Sequence, residues 1–158
     1  MTYSLGSKSE AALQGVHPII VNVVRAAITL TEQDFTVFEG LRSLARQTEY
    51  LKRGVTKTMA SKHLKQPTSF GHAVDLVPWI DGQARWEWEP IYRIAVAMDK
   101  AATAQGVAHR LRWGGIWDRT MAQYGTDAAQ SMKDAVAAYC KRHPGPDFID
   151  GPHYELIG

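Results

Sequence analysis

The stretches of this chain that can form β-strands are few, short and interleaved with helical ones, which narrows the possible folds at once. Residues Asp34 to Glu39 alternate and are rich in β-formers, so they read as a strand ended by Gly40. Gly71 to Val77 reads as a second strand, stopped by Pro78. Arg110 to Trp113 reads as a short third before Gly114 and Gly115, and His153 to Ile157 as a closing edge strand. Helical patterns fill the gaps. Ser7 to Glu10 reads as a capping box that opens a short helix. Pro18 suits the first position of a second helix, whose apolar residues Ile20, Val24, Ala27 and Ile28 keep helical spacing. Leu44 to Arg53 reads as a helix on Leu44, Gln47 and Leu51, closed by Gly54. Ile91, Ile94, Ala95, Met98 and Ala102 form a stripe stopped at Gly106. Met132, Val136, Tyr139 and Cys140 mark a last helix, ended by Pro144 and Gly145. The pattern predicts an α+β architecture, with helices packed on one small, mostly antiparallel sheet.

A chain of 158 residues suits a single domain over residues 1–158, large enough to bury a core without disulfides or a structural metal. Any metal it binds therefore has no evident structural duty. The lone cysteine, Cys140, excludes an internal disulfide and a cysteine-rich zinc finger, so metal ligands must come from His, Asp and Glu. Cys140 itself follows Ala137, Ala138 and Tyr139 on a helical stretch and reads as a packed small residue. The net charge of +2 is spread thinly, which argues against nucleic-acid binding. The most apolar run, Ile19 to Leu30, is too short to span a bilayer and is broken by Asn22 and Arg25, so no membrane insertion is expected. The first ten residues lack the apolar region of a signal peptide. The expectation is a product that stays in the cytoplasm until another protein opens the membrane.

Two segments carry candidate chemistry. One runs from Ser61 and His63 through a loop to Gly71, His72 and Asp75; the other from Asp150 to Glu155. Side chains alternate along a strand, so His72 and Asp75 point to opposite faces and His72 is the weaker ligand. Asp75 lies between Val74 and Leu76, where a bare carboxylate is costly and needs a cation or donors. His63, returned by the loop, can share that cation, with His72 as its substitute. A Gly-Pro turn separates Asp150 from His153 and can aim both into one site. His63, Asp75 and His153 would then supply two imidazoles and one carboxylate, a common donor set for catalytic zinc. Asp150 would serve as proton acceptor and donor. The competing account has each histidine packed or exposed and Asp150 opening a turn. The chain has no HExxH helix. Trp86, Trp88, Trp113 and Trp117 suit either a substrate groove or the rim of a core, with Trp113 the best groove candidate because glycines follow it.

Ser61-x-His63, Gly71-x-Ala73-x-Asp75 and Asp150-x-x-His153 together resemble the signature of the D-Ala-D-Ala carboxypeptidase-like zinc peptidases. The likeness is nearest to the phage L-alanyl-D-glutamate endopeptidase branch, which Asp34 to Ser43, Gln47, Gly54, Lys57, Thr58 and Arg112 to Gly115 also fit. The resemblance implies a D-Ala-D-Ala carboxypeptidase/hedgehog-like fold and Zn2+ held by His63, Asp75 and His153. It implies Asp150 as the general base and acid, and Arg42 as the cation that polarises the scissile carbonyl. An ion pair with Glu39 or Glu49 is the competing account of Arg42. Ser61 is implied to bond substrate or to orient a ligand; Trp113 is expected as a substrate contact on its own glycine-flanked position. The implied activity is that of an endolysin that cuts the L-Ala–D-Glu bond of the peptidoglycan stem peptide, working as a monomer. The alternatives are a D,D-carboxypeptidase or dipeptidase, or a wall-binding module without catalysis. Two departures stand out: residues 65–70 lengthen the path from His63 to Asp75, and the stretch from Asp118 to Asp147 inserts a helix before the last motif.

Overall fold

The computed structural model describes residues 2–54, 61–124, 128–145 and 148–157. Lys57 and Thr58 lie outside them, as does Asp147 at the end of the expected insertion. The helices are α1 (Ser7–Ala12), α2 (Pro18–Leu30), α3 (Leu44–Lys52), α4 (Trp88–Ala104) and α5 (Ala129–Arg142). The strands are β1 (Phe35–Glu39), β2 (Ala73–Ile80), β3 (Gln83–Ala84), β4 (Leu111–Trp113) and β5 (His153–Leu156). The sheet runs β1-β2-β5-β4, with β3 paired to the outer end of β2, and every strand pair is antiparallel. The expected α+β class is what the chain adopts.

Alternation gives this sheet two unlike faces. Val74 and Leu76 of β2, Tyr154 and Leu156 of β5, and Leu111 and Trp113 of β4 are all buried and belong to one core cluster. α4 packs on β2, and α2 and α5 pack on α4. The α4 stripe of Ile91, Ile94, Ala95, Met98 and Ala102 is buried throughout. Ile91, Ile94 and Met98 each contribute about 1.5–3 kcal/mol by leaving water, the alanines less. The residues between carry the polar face: Asp75 pairs with His153 across β2 and β5, and Glu155 with Arg112 across β5 and β4. Directly paired residues share a face. On β1 a bulge between Val37 and Glu39 shifts the register, so that Val37 faces Leu76 in the core while Glu39 pairs with Asp75. A bulge re-aims the next side chain, and here it brings Glu39 onto the polar face.

Several local expectations need correction. α1 begins at Ser7 with Gly6 as its N-cap and no side-chain cap, so Ser7 to Glu10 is not a capping box. Ser9 is instead buried, bonding the Thr36 hydroxyl at 3.0 Å and accepting the Val37 N–H at 2.9 Å. Pro18 does open α2, where the ring of His17 caps the Ile19 N–H at 3.2 Å. α3 buries Gln47, whereas Leu44 and Leu51 are exposed. Pro78 does not stop β2, which runs on to Ile80. Trp79 N–H donates to the Asp34 carbonyl, so the Phe35–Pro78 pair exchanges no hydrogen bonds and β1 asks for no N–H from the proline. Finally, β5 is an interior strand, not an edge, and all four of its residues are buried.

Candidate active site

The polar face of the sheet floors a cleft of about 640 Å³. Asp75 comes from β2 and His153 from the start of β5. His63 arrives on the loop that precedes β2, and residues 62–72 fold back on themselves. Gln66 N–H bonds the Phe70 carbonyl at 2.9 Å, Ser69 N–H that of Gln66 at 2.8 Å, and His72 N–H that of Lys62 at 2.8 Å. The lengthened connection is thus a closed hairpin-like turn that returns His63 to Asp75. His72 faces away, its Nε2 on the Thr68 hydroxyl at 2.6 Å and its ring against His17.

His63 Nε2 and His153 Nδ1 lie 3.3 Å and 3.2 Å from the same oxygen of Asp75, Oδ1. One ligand atom from each of the three residues lies within 4.8 Å of the others. Ligands about 2.0–2.1 Å from a tetrahedral ion sit roughly 3.3 Å from one another, so the spacing fits a metal ion. The outer nitrogens reinforce that fit. His63 Nδ1–H donates to the Gly40 carbonyl at 2.9 Å, and His153 Nε2–H donates to Glu155 at 2.9 Å. Neutral rings fixed in these tautomers turn lone pairs toward a carboxylate oxygen, which is repulsive unless a cation lies between. His63, Asp75 and His153 can hold a metal ion.

The electrostatics agree. Burial works to raise the pKa of Asp75, yet the positive charge that the His153 and His63 rings can carry against it holds its carboxyl well below the usual range. Burial works to lower that of His153, but Asp75 and Glu155 raise it to about 9. Both shifts describe a spot that favours positive charge. Asp150 is pushed the other way, upward, by burial and by the charge of Asp75, against the pull of His153, His63 and Arg42. It lines the same cleft. Its N–H donates to the Gly114 carbonyl at 2.9 Å, and a Cβ on Gly114 would sit 2.2 Å from the Asp150 carbonyl oxygen, so only glycine permits that approach.

Arg42 also lines the cleft, with a side chain only 10% exposed. Its Nε and Nη2 grip Glu39 at 2.7 and 2.9 Å, and Nη1 donates to Gln47 at 2.7 Å. The guanidinium lies over the ring of Tyr50. The ion pair offered as a rival account of Arg42 is therefore present, but inside the cleft. Ser61 accepts the His63 N–H at 3.1 Å and lies 3.5 Å from Arg42 Nη1, between ligand and cation.

Trp113 is the correction among the expected site residues. It is fully buried on the core face, and its Nε1–H donates to the Gly151 carbonyl at 2.7 Å. It steadies the turn after Asp150 and has no surface to offer a substrate. Of the other tryptophans, Trp86 and Trp117 line the cleft, while Trp88 packs against the core. Glu155 and Arg112 were given no role by the sequence reading. Arg112 donates to Glu155 at 2.6 Å, which completes the chain Arg112–Glu155–His153. The signal was present: His153-x-Glu155 and Leu111-Arg-Trp113 alternate, so Glu155 and Arg112 share the ligand face and Trp113 does not.

The family of phage L-alanyl-D-glutamate peptidases matches residues 1–157. The chain is 30% identical over 122 residues to an L-alanyl-D-glutamate peptidase of Escherichia phage T5, covering 75% of this chain and 84% of that protein. It is also similar to the crystal structure of the Serratia marcescens L-Ala D-Glu endopeptidase ChiX, with a TM-score of 0.68 and 34% identity over 96% of this chain and 87% of that one. A polar cleft that can hold a metal, on a fold shared with a solved endopeptidase, meets a family match along almost the whole chain: it is a peptidase and belongs to the phage L-alanyl-D-glutamate peptidase family.

Proposed function

We propose that this chain is a zinc-dependent peptidoglycan endopeptidase, an endolysin that hydrolyses the L-Ala–D-Glu bond of the stem peptide. The observation that carries the proposal is the convergence of His63 and His153 on one oxygen of Asp75, with Asp150 and Arg42 lining the same cleft. Two imidazoles and a carboxylate suit zinc, which when bound supplies Lewis-acid activation of water and of the scissile carbonyl. Asp150, whose proton affinity is raised by burial, takes the proton of the attacking water and returns it to the leaving amine. Arg42 turns its guanidinium to the carbonyl oxygen as negative charge develops there. Glu39, Gln47 and the ring of Tyr50 hold it in place, so little reorganisation is needed. Ser61 fixes the backbone that presents His63. The exposed rings of Phe38, Trp86 and Phe148 rim the cleft and give the wall polymer a surface to lie on.

The site of action would be the cell wall, reached from the periplasmic side once the inner membrane has been opened. Among the described residues no helix is long and apolar enough to cross a membrane. The test is mass spectrometry of muropeptides released from purified Gram-negative sacculi. Stem peptides with a new N-terminal D-Glu are expected; loss of a terminal D-Ala instead would establish a carboxypeptidase.

A further inference from the structure

Five charged or polar side chains cross the cleft floor from β1 to β4: Glu39, the Asp75–His153 pair, Glu155 and Arg112. The cations at the two ends are held very differently. Arg42, at the β1 end, commits Nε, Nη1 and Nη2 to Glu39 and Gln47. Arg46 stands at that end too, against the Tyr50 ring that Arg42 shares. Arg112, at the β4 end, makes one side-chain hydrogen bond among the described residues, from Nη2 to Glu155. Its Nε is buried with no acceptor among the described residues, its guanidinium lies over the Trp117 ring, and its side chain is 35% exposed on the cleft wall. This is an oriented guanidinium that spends one Nη2 donor on Glu155 and keeps Nη1 for an incoming acceptor.

We propose that Arg112 is the carboxylate-reading residue of the cleft, binding the free carboxylate of the glutamyl residue on the amine side of the scissile bond. The inference rests on the activity proposed above and adds the substrate group that is recognised. Its direction follows from the position of Asp150, whose N–H is anchored on Gly114 at the end of β4. Gly114 follows the strand on that side of the sheet, so the backbone bearing Asp150 enters from the β4 side, and we place the residue that bears the leaving amine toward Arg112. A glutamyl residue joined onward through one carboxyl keeps the other free. Guanidinium binds carboxylate through paired, charge-assisted hydrogen bonds, which an amide cannot replace.

The experiment compares two stem-peptide fragments, identical except that the glutamyl free carboxyl is left as the acid or capped as the primary amide. For the wild-type zinc enzyme, kcat/KM should favour the acid by roughly tenfold or more. In Arg112→Gln the ratio should fall toward one, and Arg112→Lys should keep part of it. Zinc content is measured for each variant, because Arg112 also supports Glu155. Equal cleavage of acid and amide by the wild type overturns the inference alone, as does an Arg112→Gln enzyme that keeps the wild-type ratio. Cleavage of neither fragment by the wild type overturns the activity and the inference with it. Should Arg112→Gln fail to fold, product inhibition of the wild type decides: stronger inhibition by the acid product than by its amide supports the subsite, and equal inhibition overturns it.

Discussion

The tautomer of His153 is set by a carboxylate two residues further along its own strand. Glu155 is 5% exposed and accepts the His153 Nε2 proton, leaving Nδ1 toward Asp75. Glu155→Gln replaces an ionised acceptor with an amide that can present its NH2 instead, so zinc affinity should fall by about 10- to 100-fold. Competition with a chelating dye measures it, and an unchanged affinity would remove Glu155 from the site. Asp150→Asn should behave in the opposite way, keeping zinc and losing turnover by roughly 10²–10⁴-fold; substantial retained activity would exclude it as the proton carrier. His63, Asp75, Asp150 and His153 were legible because their motifs stand in order along the chain. Trp113 was misplaced because its neighbours were read as a motif without following the alternation that sends Arg112 to the cleft and Trp113 to the core. Arg42 and its pairing with Glu39 were both offered by the sequence as rival accounts; that the pair sits inside the cleft needed the coordinates, since nothing local says that Glu39 faces it until the bulge in β1 turns it there.

At the scale of elements, the cleft depends on a close approach between the end of β4 and the segment that enters β5. Gly114→Ala would press a methyl group into the Asp150 carbonyl. It should destabilise the fold by about 1–3 kcal/mol and lower kcat further than the stability loss explains, because Asp150 must move. Urea denaturation and steady-state kinetics on the same sample separate the two effects. A second tie joins α5 to the loop after β4: Arg142 grips Asp118 at 2.9 Å through both Nε and Nη2. Hydrogen bonding from Arg142, aided by His143 against burial, holds the Asp118 carboxyl below its ordinary 3.8. A depressed carboxylate stabilises the folded state above that ordinary value and loses the contribution as pH falls below it. Asp118→Asn should therefore flatten the acid side of the stability profile, by about 0.2–1 kcal/mol, and leave neutral activity intact; a steeper acid slope would contradict the pairing. Element types were readable from period and punctuation. The interior place of β5 was not, because His-Tyr-Glu-Leu gains its burial from β2 and β4, distant partners that no local pattern names.

Across the whole molecule, one extended core on the far face of the sheet supports a near face given over to ionisable groups. Such a face is poorly neutralised without a cation, so metal removal should lower the melting temperature as well as activity, the shift growing with free zinc concentration. A scanning calorimetry series in zinc reads this, and a melting point indifferent to zinc would contradict it. The most direct test strips the protein with chelator, confirms by elemental analysis that no metal remains, and follows muropeptide cleavage by mass as zinc is returned. The account predicts no cleavage by the stripped protein, full recovery at one zinc per chain, and neither binding nor recovery in Asp75→Ala. Cleavage at the full rate by the metal-free chain would contradict it.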